Sequence, residues 1–131
     1  MLDHISLAVK DMKKAKAFYK KTLAPLGISV LMEFGPKQTG DGSSFAGFGE
    51  TAMPYFWLGH SPKRKGTSRS HVAFSAPDRA AVDAFYKAAV KAGGKDNGKP
   101  GLRPHYHPNY YGAFVKDPDG NNVEAVCHKP A

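Results

Sequence analysis

The stretch "AFYK" stands at residues 17–20 and again at residues 84–87. The two copies are 84 − 17 = 67 positions apart, which is close to half of the 131 residues in the chain. Applied to the surrounding residues, this offset gives seven identities within residues 4–27, and those outside the stretch are His4/His71, Asp11/Asp78 and Gly27/Gly94. Two unrelated amphipathic helices would share an apolar phase, but not also a cap and a preceding strand. The sequence therefore predicts a tandem duplication.

Each copy of the repeat begins with the pattern of a strand followed by a helix. In "DHISLAV" (3–9) apolar residues alternate with small or polar ones, and "SHVAFSA" (70–76) does the same. Asp11 and Asp78 then have the position of helix N-caps, because a carboxylate can accept from the free backbone N–H groups of a first turn. Proline and glycine end the first helix at residues 24–27, and a glycine pair ends the second.

Further strands follow each helix. Apolar runs predict three strands after the first helix and two after the second, at residues 28–34, 44–49, 54–59, 110–116 and 122–128. The last two flank the turn sequence "DPDG" (117–120), and the segment before them, rich in Gly, Pro and His, is interpreted as a loop. The sequence thus predicts one α+β domain, made of two βαβββ modules at 1–60 and 70–131 and a basic linker at 61–69.

The composition is that of a globular protein, with 41% hydrophobic and 23% charged residues. No run approaches the ~18 apolar residues that a membrane span needs. The N-terminal residues lack a basic-then-apolar secretory pattern, and the single cysteine, Cys127, excludes an internal disulfide. We therefore expect a soluble cytoplasmic protein with no membrane partner.

The formal net charge is +8, and much of it lies in "KKAKAFYKK" (13–21) and "SPKRKGTSRS" (61–70). No helix-turn-helix, zinc-finger spacing or aromatic RNA-binding strand accompanies these lysines and arginines, so no nucleic-acid partner is expected. Lysines at helical spacing are typical of a solvated face. The alternative interpretation is functional: the positive charge attracts an anionic small substrate to the protein.

Three segments, which together cover nearly the whole chain, resemble a known family. They are "DHISLAVKDMKKAKAFYKKTLAPLGI" (3–28), "SHVAFSAPDRAAVDAFYKAAVKAGG" (70–94) and "YYGAFVKDPDGNNVEAV" (110–126). They look like the vicinal-oxygen-chelate superfamily, which comprises glyoxalase I, bleomycin-resistance proteins, fosfomycin-resistance transferases and extradiol dioxygenases. The resemblance implies a glyoxalase-like fold, in which the mixed sheets of two βαβββ modules curl into a cup around a metal, and it implies a homodimer.

The resemblance also implies that His4, His71 and Glu124 are ligands of one divalent ion, whether Fe, Mn, Ni or Zn, and that Glu124 is catalytic. Two imidazoles and a carboxylate on rigid strands can hold one face of such an ion and leave positions open for two adjacent substrate oxygens. Glu124 lies in the apolar run "NNVEAVC", where an unpaired carboxylate would be costly. The competing interpretation is that these residues are polar core residues whose hydrogen bonds are satisfied. Whether the three ligands meet within one chain or across a dimer stays open.

One position departs from the glyoxalase I pattern, which places a fourth ligand on the last strand of the first module. Aligning "PYFWLGH" with "NVEAVCH" by their final histidines puts Phe56 opposite Glu124, and phenylalanine cannot bind a metal. A lactoylglutathione lyase is therefore not expected, whereas other lyase, transferase or dioxygenase chemistry stays open. The second hypothesis is a metal-free protein of the bleomycin-resistance type, which sequesters a small molecule or drug in the same cup.

Several aromatic and basic residues are candidates for binding the substrate. Within residues 100–114, two histidines alternate along a segment expected to be extended, an arginine can clamp a carboxylate or phosphate, and two tyrosines open the next strand. The candidates are Phe56, Trp57, Arg103, His105, His107, Tyr110 and Tyr111. An ordinary proline-rich surface loop is the competing interpretation. Cys127 is expected to be buried on the helix side, without a catalytic role.

Overall fold

The computed structural model describes all 131 residues and contains two copies of a strand, a helix and three further strands. The first copy comprises β1 (Ile5–Ala8), α1 (Met12–Leu23), a 3₁₀ turn (Ala24–Leu26), β2 (Ser29–Phe34), the short helix α2 (Pro36–Thr39), β3 (Ser44–Gly49) and β4 (Phe56–His60). The second comprises β5 (His71–Ser75), α3 (Arg79–Lys91), β6 (Lys95–Leu102), β7 (Tyr111–Lys116) and β8 (Asn122–Cys127). The predicted α+β class with a tandem βαβββ arrangement is confirmed. None of the helices is long and apolar enough to cross a membrane.

Each copy forms its own four-stranded mixed sheet. The strand orders are β1-β4-β3-β2 in sheet 1 and β5-β8-β7-β6 in sheet 2. In both sheets the first strand of the copy runs parallel to the last, and the other neighbours are antiparallel. The offset of 67 holds in the pairing too: Gly47 pairs with Trp57, and the residues 67 positions later, Phe114 and Glu124, also pair. The repeat therefore extends without net insertion from the first strand to the last.

The two long helices begin where the sequence predicts. Asp11 Oδ1 accepts from the backbone N–H of Lys14 at 3.0 Å, and Asp78 Oδ1 accepts from that of Ala81 at 2.8 Å. Each carboxylate therefore satisfies a backbone donor that has no partner within its own helix. The first helix passes into the 3₁₀ turn and stops at Gly27, whose φ of 79° lies in the left-handed region that favours glycine.

The two copies share one hydrophobic core. Phe18 and Phe85, the phenylalanines of the repeated "AFYK", are both buried in it, on the helix faces that pack against the sheets. The rings of Phe56 in sheet 1 and Phe74 in sheet 2 lie 5.1 Å apart in an edge-to-face arrangement. Cys127 is buried in the same core, as predicted. Because apolar contacts cross between the copies, neither sheet has a separate core.

Two segments differ from the sequence interpretation. Residues 95–102 form β6, although their glycines and proline indicated a loop, and the strand pairs with β7 through two register shifts. The basic linker at 61–69 is held in place rather than free. Ser68 N donates to Ala8 O at 3.1 Å and Ala8 N donates to Ser68 Oγ at 2.7 Å, which fixes the linker against the open edge of β1.

A buried carboxylate joins the two copies. Asp117 Oδ1 accepts from the backbone N–H groups of Asp119 at 2.9 Å and Asn121 at 2.8 Å, which closes the "DPDG" turn between β7 and β8. Its Oδ2 accepts from Asn121 Nδ2 at 2.8 Å and from the hydroxyl of Tyr19, on α1 of the other copy, at 2.5 Å. Tyr19 and Asn121 are both fully buried. The hydrogen bonds compensate the cost of removing the carboxylate from water.

We predict that Tyr19→Phe lowers the free energy of unfolding by about 1.5–3 kcal/mol, the range for a buried hydrogen bond to a charged group. The matched control is Tyr86→Phe, the same substitution 67 positions later on α3, where the side chain is only partly buried and its hydroxyl faces the exposed carboxylate of Asp96. That variant is expected to keep nearly the native urea midpoint. Equal losses in the two variants, measured by urea unfolding, would contradict a specific role for the Tyr19–Asp117 hydrogen bond.

Candidate functional site

The centre of the site is the carboxylate of Glu124, in the middle of β8. Its side chain is 1% exposed and points to the outer face of sheet 2, the face away from the helices. His71, at the start of the neighbouring strand β5, places Nε2 2.8 Å from Glu124 Oε2. Because a carboxylate accepts, His71 Nε2 is the donor in this pair. The imidazole itself is about half exposed, at 52%, so the pair joins a buried oxygen to the surface.

The other oxygen of Glu124 is bonded to a tyrosine. The hydroxyl of Tyr110, the residue before β7, donates to Glu124 Oε1. Gly112 makes room for this contact, because a Cβ there would lie 3.1 Å from Tyr110 Cε1 and 3.3 Å from Glu124 Oε1. Burial, together with the hydrogen bond to Glu124, raises the pKa of Tyr110 well above its usual range. Tyr110 therefore keeps its proton and directs it at the carboxylate.

Aromatic and basic side chains surround this centre. Phe114 pairs with Glu124 across β7 and β8, and its ring lies 6.2 Å from the imidazole of His71. The guanidinium of Arg103 lies 5.6 Å from the centre of the Phe114 ring and donates to Lys99 O at 2.7 Å. A cavity of about 270 Å³ beside them is lined by Asn97, Gly98, Arg103, Tyr106, Phe114 and Asn122. Sheet 2 thus presents charged, hydrogen-bonding and aromatic groups on one surface.

An apolar groove adjoins His71 on the other side. It has a volume of about 430 Å³ and lies between β1 and β5, the first strands of the two sheets. Its walls are mostly apolar, and the lining residues are Leu2, Asp3, Ile5, Tyr55, Phe56, His71, Val72, Ala73 and Phe74. A ligand bound in this groove would place an apolar group beside the imidazole of His71.

The three predicted metal ligands do not meet within one chain. No group of three or more His, Cys, Asp or Glu side chains has the arrangement of a metal site. His71 and Glu124 are paired, whereas His4 precedes β1 in sheet 1, is 57% exposed and contacts Asp3 Oδ1 at 2.5 Å through Nδ1. A single chain therefore offers two of the three predicted ligands together, and the third separately.

The residue of sheet 1 that occupies the position of Glu124 is Trp57. The prediction that Phe56 occupies it is wrong. Ser6 pairs with Trp57 in the same register in which Ala73 pairs with Glu124. The alignment on the final histidines introduced a shift of one residue, and such a shift moves a strand residue to the opposite face. Phe56 is 1% exposed and faces the helices, whereas Trp57 lies on the outer face and stacks on Phe34 at 6.1 Å. Keeping the offset of 67 would have identified the tryptophan.

The other predicted substrate contacts are Tyr111, His105 and His107. The hydroxyl of Tyr111 donates to Asp83 Oδ1 at 2.7 Å, so this ring lies against α3 rather than on the outer face. Residues 104–106 form a turn rather than an extended segment. His105 contacts the ring of Tyr106 at 4.2 Å, and His107 approaches that of His128 at 5.6 Å. The rings of Tyr106 and His128 each lie 5.1 Å from that of Tyr110, so both predicted histidines lie at the periphery of the site.

Of the predicted substrate contacts, Arg103 and Tyr110 lie with Glu124 on the outer face of sheet 2. Phe56 faces the core but also lines the apolar groove next to His71. Sequence reasoning missed Phe114, Tyr106, Asn97 and Asn122. Pairing the two strands across the "DPDG" turn would have identified Phe114, because it places that residue opposite Glu124.

The raised pKa of Tyr110 leads to a testable result. Glu124→Gln removes the negative charge and lowers the pKa of Tyr110, but burial, the largest cause, keeps it above the usual value of about 10. Because the folded-state pKa is raised, this tyrosine stabilises the fold below pH ~10, and that contribution is lost as the pH rises through the folded-state pKa. The ¹³Cζ chemical shifts of the tyrosines, followed with pH, measure the change. Tyr111, bonded to Asp83, is the internal control and should not shift; an unchanged Tyr110 would contradict the assignment.

Comparisons with known proteins agree with this architecture. The model of the Glyoxalase/Bleomycin resistance protein/Dioxygenase superfamily matches residues 1–125. The chain is similar to the structure of a glyoxalase/bleomycin resistance protein from Albidiferax ferrireducens T118, with 25% identity over 97% of both chains and a TM-score of 0.73. A glyoxalase-related enzyme from Fulvimarina pelagi shares the fold at 20% identity and a TM-score of 0.67, over 97% of this chain and 87% of that one.

A plant enzyme gives a further likeness. Glyoxalase I from Zea mays is 25% identical, with a TM-score of 0.73 over 96% of this chain and 45% of the maize chain. The chain therefore spans less than half the length of that enzyme. No curated protein matches the chain. Since the family model matches nearly all of the residues, the chain belongs to the glyoxalase/bleomycin resistance protein/dioxygenase superfamily.

Proposed function

We propose that the protein is a divalent-metal-dependent enzyme that acts on a small molecule with two adjacent oxygens, by lyase, transferase or dioxygenase chemistry. The observation that carries the proposal is the buried carboxylate of Glu124, held between His71 and Tyr110 on the outer face of a sheet. A buried strand carboxylate costs free energy that an apolar residue would not, so its presence favours a functional role. Membership of a superfamily that includes metalloenzymes adds to this support.

His71 and Glu124 fit two positions of a metal site. Two ligand atoms that each lie about 2.1 Å from one ion would be about 3 Å apart at octahedral angles and about 3.4 Å apart at tetrahedral angles. His71 Nε2 and Glu124 Oε2 are 2.8 Å apart and come from paired strands, whose hydrogen bonds limit their movement. An ion bound there would act as a Lewis acid toward the substrate oxygens.

We propose His4 of a second copy of the chain as the third ligand. In one chain His4 is exposed and apart from the His71–Glu124 pair. The outer face of sheet 1 also carries three large apolar side chains that are each about 40% exposed: Met32, Phe34 and Phe45. Apolar surface of this kind, next to the half-buried Trp57, is typical of a face that another protein covers. A homodimer that apposes sheet 1 of one copy and sheet 2 of the other would complete the site.

The remaining residues of the site bind and orient the substrate. Arg103 donates from Nη2 to Lys99 O at 2.7 Å and from Nη1 to Leu102 O at 3.3 Å. Its remaining N–H groups could bind an anionic group of the substrate. Phe114 and Tyr106 line the same cavity and would exclude water from the reacting atoms. Tyr110 holds its proton at Glu124 Oε1 and fixes the orientation of the carboxylate.

The second candidate function is metal-free binding of a small molecule or drug. It is favoured by Trp57, which places an aromatic ring where Glu124 lies in the other sheet. It is also favoured by the two hydrogen bonds of Glu124, because they satisfy both carboxylate oxygens without an ion. In this function the stacked rings of Trp57 and Phe34 would bind a flat aromatic ligand.

Metal titration separates the two functions. We predict that the native protein, purified without chelator, binds about one divalent ion per chain, and that Glu124→Gln weakens this binding at least ~tenfold by removing a charged ligand. The matched control is Glu33→Gln, on β2 of sheet 1, where the carboxylate pairs with Lys16 and not with a histidine. Calorimetry with Mn²⁺, Ni²⁺ and Zn²⁺, and with Fe²⁺ under nitrogen, measures the affinities.

Two outcomes would contradict the metal-dependent function. The first is a native protein that binds none of these ions stoichiometrically; the second is equal binding by the native protein and Glu124→Gln. Quenching of Trp57 fluorescence by aromatic ligands, abolished by Phe34→Ala, would then support the binding function. Trp57 is the only tryptophan in the chain, so the signal has one source.

A further inference from the structure

A second cavity, distinct from the Glu124 site, lies at the end of sheet 1. It has a volume of about 390 Å³ and is bounded by the turn between β1 and α1, the end of β4 and the basic linker. The residues that line it are Val9, Lys10, His60, Ser61, Pro62, Arg64, Gly66 and Thr67. None of them belongs to the sheet that carries His71 and Glu124, so the two sites are separate.

The walls of this cavity are held by hydrogen bonds. The linker is tied to β1 through Ser68 and Ala8, and it turns back at Ser61, whose carbonyl accepts from Arg64 N at 3.1 Å. Arg64 Nη1 lies 3.5 Å from Gly59 O, at the end of β4. The basic linker therefore folds over the end of the strand and forms a concave surface, in contrast to the solvated segment that its composition indicates.

The charge of the lining is all of one sign. Lys10 and Arg64 each contribute a positive charge, and Ser61 and Thr67 contribute hydroxyl groups. His60 Nδ1 lies 3.2 Å from Val9 O, and because a carbonyl can only accept, the proton is on Nδ1 and Nε2 is the free polar atom of the ring. No carboxylate lines the cavity; Asp11 and Asp119 line an adjoining concavity that shares Lys10 and His60.

We infer that this cavity binds the phosphate group of a soluble small molecule. A lysine and an arginine around one concavity, with hydroxyls between them, can give a tetrahedral anion charge-assisted hydrogen bonds from several directions. The inference also gives a role to the hydrogen bonds that hold the linker backbone against β1 and Arg64 beside Gly59, which a merely solvated segment does not require. It does not depend on the proposed metal chemistry, because it shares no residue with that site.

The test uses inorganic phosphate as the probe. We expect calorimetry at about 0.15 M salt, where the Debye length is about 8 Å, to show one saturable site in the native protein. We also expect the double variant Lys10→Gln with Arg64→Gln to bind phosphate at least ~tenfold more weakly, since it loses two charge-assisted donors. The amide resonances of Gly66 and Thr67, which line the cavity, are expected to shift on titration in ¹H–¹⁵N spectra.

The matched control is the double variant Lys65→Gln with Arg69→Gln. It makes the same change of net charge, from +8 to 8 − 2 = +6, at two linker residues that are exposed like Lys10 and Arg64 but do not line the cavity. Its affinity for phosphate is expected to fall by less than about twofold, because charges beyond contact are screened. Unchanged thermal midpoints in both variants would verify that each is folded.

Three results would overturn the inference. The first is the absence of saturable phosphate binding, and the second is an equal loss of affinity in the two double variants, which would indicate diffuse attraction alone. The third is a single-stranded oligonucleotide that binds tightly, with a steep salt dependence, and is weakened equally by both double variants. That result would assign the basic residues to an extended nucleic-acid surface.

Discussion

The carboxylate of Asp117 is the contact on which the arrangement of the site depends. It accepts from two backbone N–H groups of its own turn and so sets the register between β7 and β8. That register places Glu124 opposite Phe114 on the outer face of sheet 2, because residues opposite each other in a pair of strands share a face. The same carboxylate accepts from Tyr19 of α1, which couples the turn to the other copy of the repeat. The position of the buried Glu124 thus depends on the hydrogen bonds of a second buried carboxylate, that of Asp117.

The two copies of the repeat share a backbone plan but differ in what they place on their outer faces. In sheet 1 the positions of Asp117 and Asn121 are occupied by Glu50 and Pro54, so the buried polar turn occurs once. The position of Glu124 is occupied by Trp57, beside exposed apolar residues. Sheet 2 therefore supplies the polar groups and sheet 1 the apolar ones. Two faces of such different character are complementary, which is why a second copy of the chain is proposed as the partner in the site.

The repeat in the sequence predicts more of the fold than the two helices and the first strands. The offset of 67 identified both helices, their aspartate caps and the first strands, because helix period and cap chemistry are local properties. It also predicts β6 and the Trp57–Glu124 correspondence, where composition and a local alignment gave the wrong result. Glycines and proline concealed β6, whose pairing comes from backbone groups rather than from side-chain preference.

The site itself could be predicted only in part. That His71 and Glu124 lie together was implied by the resemblance to the superfamily, and the structure places them on adjacent strands of one module. The orientations of Tyr110 and Tyr111 could not be read from the sequence, because successive residues at the start of a strand point to opposite faces and the strand boundary decides which is which. The basic cavity could not be predicted from the sequence either, because it depends on the contact of Ser68 with Ala8, which are 60 residues apart.

The central claim, that the site is shared between two copies of the chain, is tested most directly by mixing two variants that each lack one proposed ligand. In a two-fold dimer, His4→Ala and Glu124→Gln each remove a ligand from both sites, but a mixed dimer keeps one site intact. The measurement is the amount of divalent ion retained by mixed dimers, isolated through two different affinity tags. The account predicts about half an ion per chain in the mixed dimer and none in either parent. Mixed dimers that bind no more metal than their parents, when the native protein binds it fully, would contradict the shared site.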